Sequence, residues 1–461
     1  MRIVVVGGGI AGFAAALRLR ELAGEGAEII VVERSDQVGG KLRTGEIAGE
    51  TIETGAEMFL VRERGAASAA WTLAHRVGLG VDLVHPAAVP AGIAVGGALL
   101  PIPGGTLLGV PSDPSTLDGL AQVSDLDQDA GRPLLAPGED VAVGGLVRQR
   151  LGDEVVDRLV DPMLGGVYAG RADLLSLAAT MPGLHTAALH HPTLTSAVRS
   201  ALAESPRPAG TPVFATVRGG LRRLVAAVAG AAGADVRLGA PVRELSRTPT
   251  GWRLVVGSTR DPEHLAADGV VLAVASTPSA RLLRGVDAGA ASLVGALDYA
   301  SVALVTLALP PETDLPALSG FLVPASEGYA VKAVTFLTTK WPHLARAGTP
   351  VLVRASLGRY GEEHVLQRTD GDLIGVARAD LDALLAARLP EPIEATVTRW
   401  GGGLPQYGVG HVDRVARARA ALPATLGLAG AAFDGVGIAA CVRSGEGAAD
   451  AVWAGLRQSR A

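Results

Sequence analysis

Gly7-Gly8-Gly9-Ile10-Ala11-Gly12 satisfies the spacing G-x-G-x-x-G, and an acid, Glu33, follows about twenty residues later, the separation expected of a dinucleotide fingerprint. Each part has a chemical job. Gly7 lets the chain turn sharply, Gly9 lets a pyrophosphate approach the backbone, and Gly12 lets a helix pack closely on a strand. Glu33 can accept hydrogen bonds from the hydroxyls of an adenosine ribose. An acid there disfavours a 2′-phosphate, so FAD or NAD is expected ahead of NADP. Gly39-Gly40-Lys41-Leu42-Arg43 comes directly after the acid. A second glycine turn bearing cations suits a diphosphate that continues into a large second group, which selects FAD; an ordinary turn with solvated Lys41 and Arg43 is the alternative. At the far end, Leu428 to Ile438 (LAGAAFDGVGI) reads as strand, glycine loop and helix start. A helix N-terminus at Val436-Gly437-Ile438, aimed at the pyrimidine edge of a flavin, would stabilise the anion of the reduced ring. A plain glycine loop before a terminal helix is the alternative there.

These groups need elements to hold them. Arg2–Val6 is a β-branched apolar run, as in a parallel strand buried on both faces. Ala11 to Ala23 has helical spacing, and Ile29–Val32 is a second strand ending at Glu33. Strands are then expected at 44–47 and 51–53, a helix at 65–77, a hairpin at 94–102 around Gly96-Gly97, and an exposed connection at 125–138. Residues 140–164 read as one amphipathic helix, with Val143, Leu146, Val147, Leu151, Val155 and Leu159 on one side. Further expectations are a helix at 193–202, a strand at 212–215, a helix at 221–232 after Gly219-Gly220, a short strand at 235–238, a hairpin of 241–245 with 252–256, and a buried strand at 269–274. Strands at 299–309 and 350–357, a helix at 370–388, a strand at 426–429 and a helix at 437–456 complete the reading.

Nucleotide-type elements thus stand at the start, middle and end of the chain. The fold class is α/β (α+β overall): a Rossmann-like FAD-binding domain with an inserted substrate domain built on a mixed sheet and an inserted helical domain. The corresponding division is 1–54, 213–280 and 401–461 for FAD; 55–84, 190–212 and 281–400 for substrate; and 85–189 for the mostly helical insertion.

Composition narrows the function. The 461 residues carry a formal net charge of −5, so no basic footprint for nucleic acid is present. Cys441 is the one cysteine, which rules out an intramolecular disulfide, fits a reducing cytoplasm and argues against a Cys/His metal cluster. No export signal is read at the start, where Met1–Val6 runs straight into the glycine turn. Leu83 to Ser112 lacks Asp, Glu, Lys and Arg but contains Pro86, Pro90, Pro101, Pro103 and Pro111. An unbroken spanning helix is therefore excluded there. A loop-rich wall over an apolar pocket is expected, with peripheral membrane contact the most that this tract would support.

Together GGGIAG (7–12), ER (33–34), GGKLRT (39–44), ETGAEMFL (53–60), GDEVVDRLVDPMLGGVYAGR (152–171), GGLRRL (219–224), KWPH (340–343), TRWGGGLPQYGVGH (398–411) and GVGIAACVRSG (435–445) resemble the coproporphyrinogen/protoporphyrinogen oxidases of haem biosynthesis, within the amine-oxidase-like flavoproteins. The resemblance implies FAD contacts at Gly7, Gly8, Gly9, Ile10, Ala11, Gly12, Glu33, Arg34, Lys41, Gly55, Ala56, Glu57, Met58, Val242, Trp400, Val436, Gly437 and Ile438. It departs at Val61-Arg62-Glu63-Arg64, where an acid stands between two arginines and puts in doubt any role tied to one basic position there.

The soluble, Gram-positive-type branch implies coproporphyrinogen III as substrate, oxidised by six electrons in three steps in the cytoplasm. Oxygen would reoxidise the flavin to give H2O2, and the next haem-pathway enzyme would be a transient partner. Flavin N5 would carry the chemistry, with no obligatory side-chain acid or base. A flat macrocycle with carboxylates needs an apolar slot rimmed by cations, for which Arg62, Arg64, Tyr168 and Arg171 are the candidates. Protoporphyrinogen IX is the alternative substrate. More distant alternatives are an amine oxidase or carotenoid desaturase, or a non-catalytic flavin-binding porphyrin carrier.

Overall fold

The computed structural model describes residues 1–63, 65–204 and 210–459. Five parallel strands form a first sheet in the order Asp235–Arg237, Glu28–Val32, Arg2–Val6, Gly269–Leu272, Leu426–Leu428. Its central strands are apolar on both faces because both are covered. Helices Ile10–Ala23, Arg222–Ala232 and Ile438–Gln458 pack on one face around Phe13, Leu19, Leu224 and Val452. The three-stranded sheet of Val242–Thr248, Gly251–Gly257 and Pro262–Ala267 packs on the other, around Trp252 and Leu254.

A seven-stranded sheet follows the order Ala98–Pro101, Gly92–Val95, Gly320–Leu322, Val331–Phe336, Val351–Leu357, Tyr299–Leu309, Glu394–Pro405. It is mixed, because Gly92–Val95 runs parallel to Gly320–Leu322 while the other neighbours are antiparallel. Hairpin 92–101, which the expected division placed in the helical insertion, edges this sheet. One face buries Val305, Leu307, Val334, Phe336, Val353 and Ala355 under helix Asp370–Leu384. A separate helical cluster is built on Val143–Leu151, Asp161–Tyr168, Pro182–Ala188 and Leu194–Ala203.

Three expected helices are corrected. The one at 65–77 spans Ala69–Arg76, because Ser68 accepts from Trp71 N–H as its N-cap and residues before it form the hairpin Arg62–Glu63/Ala66–Ala67. The one at 140–164 breaks at Gly152, whose φ of 95° ends Val143–Leu151, and passes through a π-helical turn at Val156–Val160. Arg148 pins the break by pairing with Asp153, Asp157 and Asp173. The helix expected at 370–388 ends at Leu384, where Leu389 N–H turns back to the Asp382 carboxylate.

Candidate functional site

The first glycine turn leaves strand Arg2–Val6 and enters helix Ile10–Ala23 with its spacing explained by contacts. A Cβ on Gly7 (φ 111°) would lie 2.5 Å from the Ala273 carbonyl oxygen, and one on Gly12 would lie 1.9 Å from that of Gly7. By contrast, Gly9 faces open space. The helix has no side-chain cap and no acid in its first turn, so its leading N–H groups are left for an anion. Glu33 is turned onto this loop. Its Oε2 accepts from Gly8 N–H at 2.8 Å, and its Oε1 from Ser35 N–H at 2.9 Å and Ser35 Oγ at 2.6 Å, which fixes the carboxylate while leaving a lone pair on Oε2 for a ribose hydroxyl. Arg34 is exposed.

The second glycine turn is stapled to the first: Gly39 N–H donates to Gly8 C=O at 2.8 Å. Gly39 and Gly40 both adopt positive φ, at 111° and 59°. The Lys41 ammonium has no carboxylate partner among the described residues. Burial pushes its pKa down, and Cys441 of the C-terminal helix acts the other way. Arg43 lies 6.0 Å from the Trp400 ring centre. Val242 is buried at the start of its strand; Ala240, two residues before it, donates its N–H to Glu33 C=O at 2.8 Å.

Residues 53–58 form the next wall. A Cβ on Gly55 would meet Lys41 C=O at 2.1 Å and the Trp400 ring at 2.9 Å. Trp400 Nε1 donates to Thr54 C=O at 2.8 Å. Ala56 is half-buried against the first helical layer, and Met58 against Ile47 and Trp341. The Glu57 side chain meets Arg354 of the seven-stranded sheet and Lys340 and Trp341 of the segment that follows strand Val331–Phe336. Its carboxylate accepts from Lys340 Nζ at 2.6 Å, Trp341 Nε1 at 2.8 Å and Arg354 Nη1 at 2.8 Å. Burial opposes its ionisation, but Lys340 and Arg354 outweigh burial and bring the carboxyl to about 2. Arg354 also donates to Glu53 C=O. Behind this loop a cavity of about 290 Å³ is lined by residues including Thr216, His343 and Arg354. Thr216 Oγ1, His343 Nδ1 and Arg354 Nε are buried without a hydrogen-bond partner among the described residues, a set that suits ordered water.

The C-terminal element closes on the same place. Helix Ile438–Gln458 lies directly against Ile10–Ala23, with a Cβ on Gly445 falling 2.1 Å from Ala11 C=O. Its N-cap, Gly437, is exposed, has no side-chain cap and faces open space. A Cβ on Gly430, at the start of the loop that leads to Val436, Gly437 and Ile438, would lie 3.7 Å from Ala11 Cβ, so this loop sets out beside the start of the first helix. The open cradle at Gly9 and Gly437, the uncapped helix starts and the unpaired Lys41 fit a dinucleotide with a large second group.

The candidate rim residues are less uniform. Tyr168 is 7% exposed, ends helix Asp161–Tyr168, and has its hydroxyl pKa pushed up to about 12 by burial. Arg171 is held by Glu362 and, at 3.8 Å, by Asp161. Arg62 is half-buried and donates to Gly65 C=O in its own hairpin, while its neighbour Glu63 pairs with Arg443. Arg64 lies outside the described residues. Sequence reasoning missed Arg354 and Lys332. Lys332 is buried, donates to Gly165 C=O at 2.9 Å, and has its pKa lowered to about 7 by burial and by Arg359. Each is a lone cation inside an apolar strand, PVLVRASL or AVKAVTF, and that was the available signal.

Residues 10–453 match the family of flavin containing amine oxidoreductases. The coproporphyrinogen III oxidase of Mycobacterium tuberculosis (strain ATCC 25618 / H37Rv) is 39% identical over 448 residues, covering 95% of this chain and 94% of that protein. That of Bacillus subtilis (strain 168) is 32% identical, covering 97% and 96%. Among solved structures, a putative protoporphyrinogen oxidase from Exiguobacterium sp. 255-15 superposes with a TM-score of 0.84 at 31% identity, covering 98% of each chain. A putrescine oxidase at 18% identity and a TM-score of 0.69 shares the fold.

Proposed function

The chain belongs to the flavin containing amine oxidoreductases, and we propose that within that family it oxidises coproporphyrinogen III to coproporphyrin III. It is an FAD-dependent oxidoreductase. The observation that carries the substrate is near-full-length similarity to coproporphyrinogen III oxidases, at up to 39% identity. When bound, FAD supplies the two-electron acceptor for each of three oxidations, and dioxygen is the proposed final acceptor, giving H2O2.

The chain's own residues then have positioning tasks. In this reading Gly7 to Gly12 and the start of helix Ile10–Ala23 hold the diphosphate, and Glu33 with Val242 receives the adenosine end. Lys41, Arg43, Gly55 to Met58 and Trp400 form the wall at the ring system, and Val436 to Ile438 offer helix N–H groups to its pyrimidine edge. Arg34 sits at the exposed margin. The segments 1–54, 213–280 and 401–461 are assigned to the cofactor domain, less the end of strand Glu394–Pro405, which belongs to the seven-stranded sheet; that sheet with the helical cluster encloses the macrocycle. Tyr168 supplies an apolar wall. Arg62, Arg64 and Arg171 are the proposed carboxylate partners, Arg171 by exchanging Glu362 for a propionate. No side-chain acid or base is assigned, since orientation and exclusion of water suffice beside a redox cofactor.

Among the described residues no helix is long and apolar enough to cross a membrane. A cytoplasmic setting and transient transfer of product to the next haem-pathway enzyme belong to the proposal. Protoporphyrinogen IX is the second reading, favoured by the 28% identity to the chloroplastic protoporphyrinogen oxidase 1 of Arabidopsis thaliana. Steady-state kinetics on both porphyrinogens test the choice. Higher kcat/KM on coproporphyrinogen III supports the first reading, and a preference for protoporphyrinogen IX replaces it with the second.

A further inference from the structure

Residues 165–171, 405–411 and 430–437 are far apart in sequence but meet in one buried cluster. Tyr407 is 1% exposed and lies at its centre. Its ring packs edge-on against Tyr168, with centroids 5.6 Å apart, and stacks on His411 at 4.2 Å. Its hydroxyl donates to Ala431 C=O. His411 is also buried, and its Nε2 faces Phe433 C=O at 3.4 Å. Burial brings the His411 imidazole down to about 4. The ring is therefore neutral at pH 7, with its proton assigned to the nitrogen that faces a carbonyl.

The same segment grips the slot wall through one side-chain amide and one backbone carbonyl. Gln406 Nε2 donates to Tyr168 C=O at 2.8 Å, and Tyr407 C=O accepts from Ser176 N–H at 2.7 Å. On its other side, the loop holding Ala431 and Phe433 leads to the uncapped start of helix Ile438–Gln458. That loop is the helical turn Ala431–Asp434 flanked by Gly430 and Gly435 at φ of 111° and 126°, conformations that favour glycine. A helix dipole acts only over its first turn. Ser444 of the helix itself ties the loop back by accepting from Gly430 N–H at 2.8 Å and donating to Asp434, and Tyr407 and His411 hold two further carbonyls of the approach, those of Ala431 and Phe433, from the side of Tyr168.

We propose that Tyr407 and His411 are positioning residues that couple the wall at Tyr168 to the loop presenting the N-terminus of helix Ile438–Gln458. They keep that N-terminus in one place against the flavin as the slot fills and empties. The inference rests on the FAD-dependent reading above. Tyr407→Phe keeps the ring and removes only the hydroxyl; His411→Gln keeps an N–H donor that His411→Ala loses.

The test uses purified holoenzymes. FAD content and thermal midpoint are measured first, then the reduction potential of the bound flavin, then kcat and KM. Tyr407→Phe is expected to bind FAD fully yet show a more negative potential, and a kcat lowered about fivefold at unchanged KM, the worth of one hydrogen bond. His411→Ala should behave likewise, and His411→Gln should recover much of the loss. Unchanged potential and kcat in Tyr407→Phe, or equal losses in H411Q and H411A, overturn the proposal. If Tyr407→Phe does not fold, the two His411 variants decide. Because the potential is read without substrate, a wild-type enzyme that binds FAD but ignores porphyrinogens would defeat the functional reading and leave this test intact.

Discussion

Two loops face the proposed flavin site, and they are held by opposite means. Residues 53–58 are anchored by buried charge, with Glu57 set between Lys340 and Arg354. Residues 430–437 are held by a neutral aromatic pair, Tyr407 and His411, and by Asp434, which pairs with Arg419 and accepts from Ser444. Buried ion pairs repay their desolvation only when every partner is present, whereas a neutral hydrogen bond on a packed ring contributes modestly and fails gently. The first loop should thus respond to mutation in an all-or-none way, and the second by degrees.

The largest effect is expected at Arg354. Arg354→Met leaves Glu57 buried with one cation, at a cost of about 3–5 kcal/mol, seen as a lowered thermal midpoint and loss of FAD on gel filtration. Adding Glu57→Gln to it should recover part of the loss. A double variant no better than Arg354→Met would show that the cluster is not limited by an unpaired charge.

Acid titration separates the loops next. His411 has a folded pKa of about 4 against 6.5 in the free side chain, so the unfolded chain binds the proton first. Its share of stability is complete above 6.5 and is lost as pH falls to 4, a difference of 2.5 (6.5 minus 4), or roughly 3 kcal/mol. Glu57 has a folded pKa of about 2 against 4.5. Its contribution is complete above 4.5 and is lost only as pH falls from there to 2. Denaturant unfolding of the wild type and His411→Gln across pH 4–7 should give slopes that differ in this window. Identical slopes would remove His411 from the account.

The smallest effect sharpens the contrast. Trp400→Phe removes the N–H donated to Thr54 C=O on the charged loop, and should cost about 1 kcal/mol, read as a few-fold weaker FAD affinity by fluorescence titration. That is the size of loss, one hydrogen bond, expected in kcat for Tyr407→Phe on the neutral loop. A loss as large as that of Arg354→Met would mean the loops differ by location and not by charge.

The cofactor half of this site was legible in sequence because its constraints are local. Gly7, Gly12 and Gly39 answer to atoms a few residues away or on the adjacent strand, and Glu33 ends a strand whose apolar run is unmistakable. The substrate half was harder to read. Strands Gly320–Leu322, Val331–Phe336 and Glu394–Pro405 escaped notice, the last because Gly401-Gly402-Gly403 interrupts its pattern. Arg354 and Lys332 acquire meaning only when the sheet register sets them against Glu57 and Gly165. The break at Gly152 was hidden for a related reason: the apolar positions keep their helical spacing across it. The meeting of residues near 10 with those near 437 was inferred from two glycine loops, and Gly445 seated on Ala11 C=O gives it a physical basis.

The most direct measurement is anaerobic mixing of excess purified holoenzyme with coproporphyrinogen III, followed by visible absorption. A six-electron substrate against a two-electron cofactor predicts three flavins bleached for each porphyrin formed, the two signals moving together. A preparation that takes up no FAD, or whose flavin stays oxidised while the porphyrinogen remains colourless, would contradict the account.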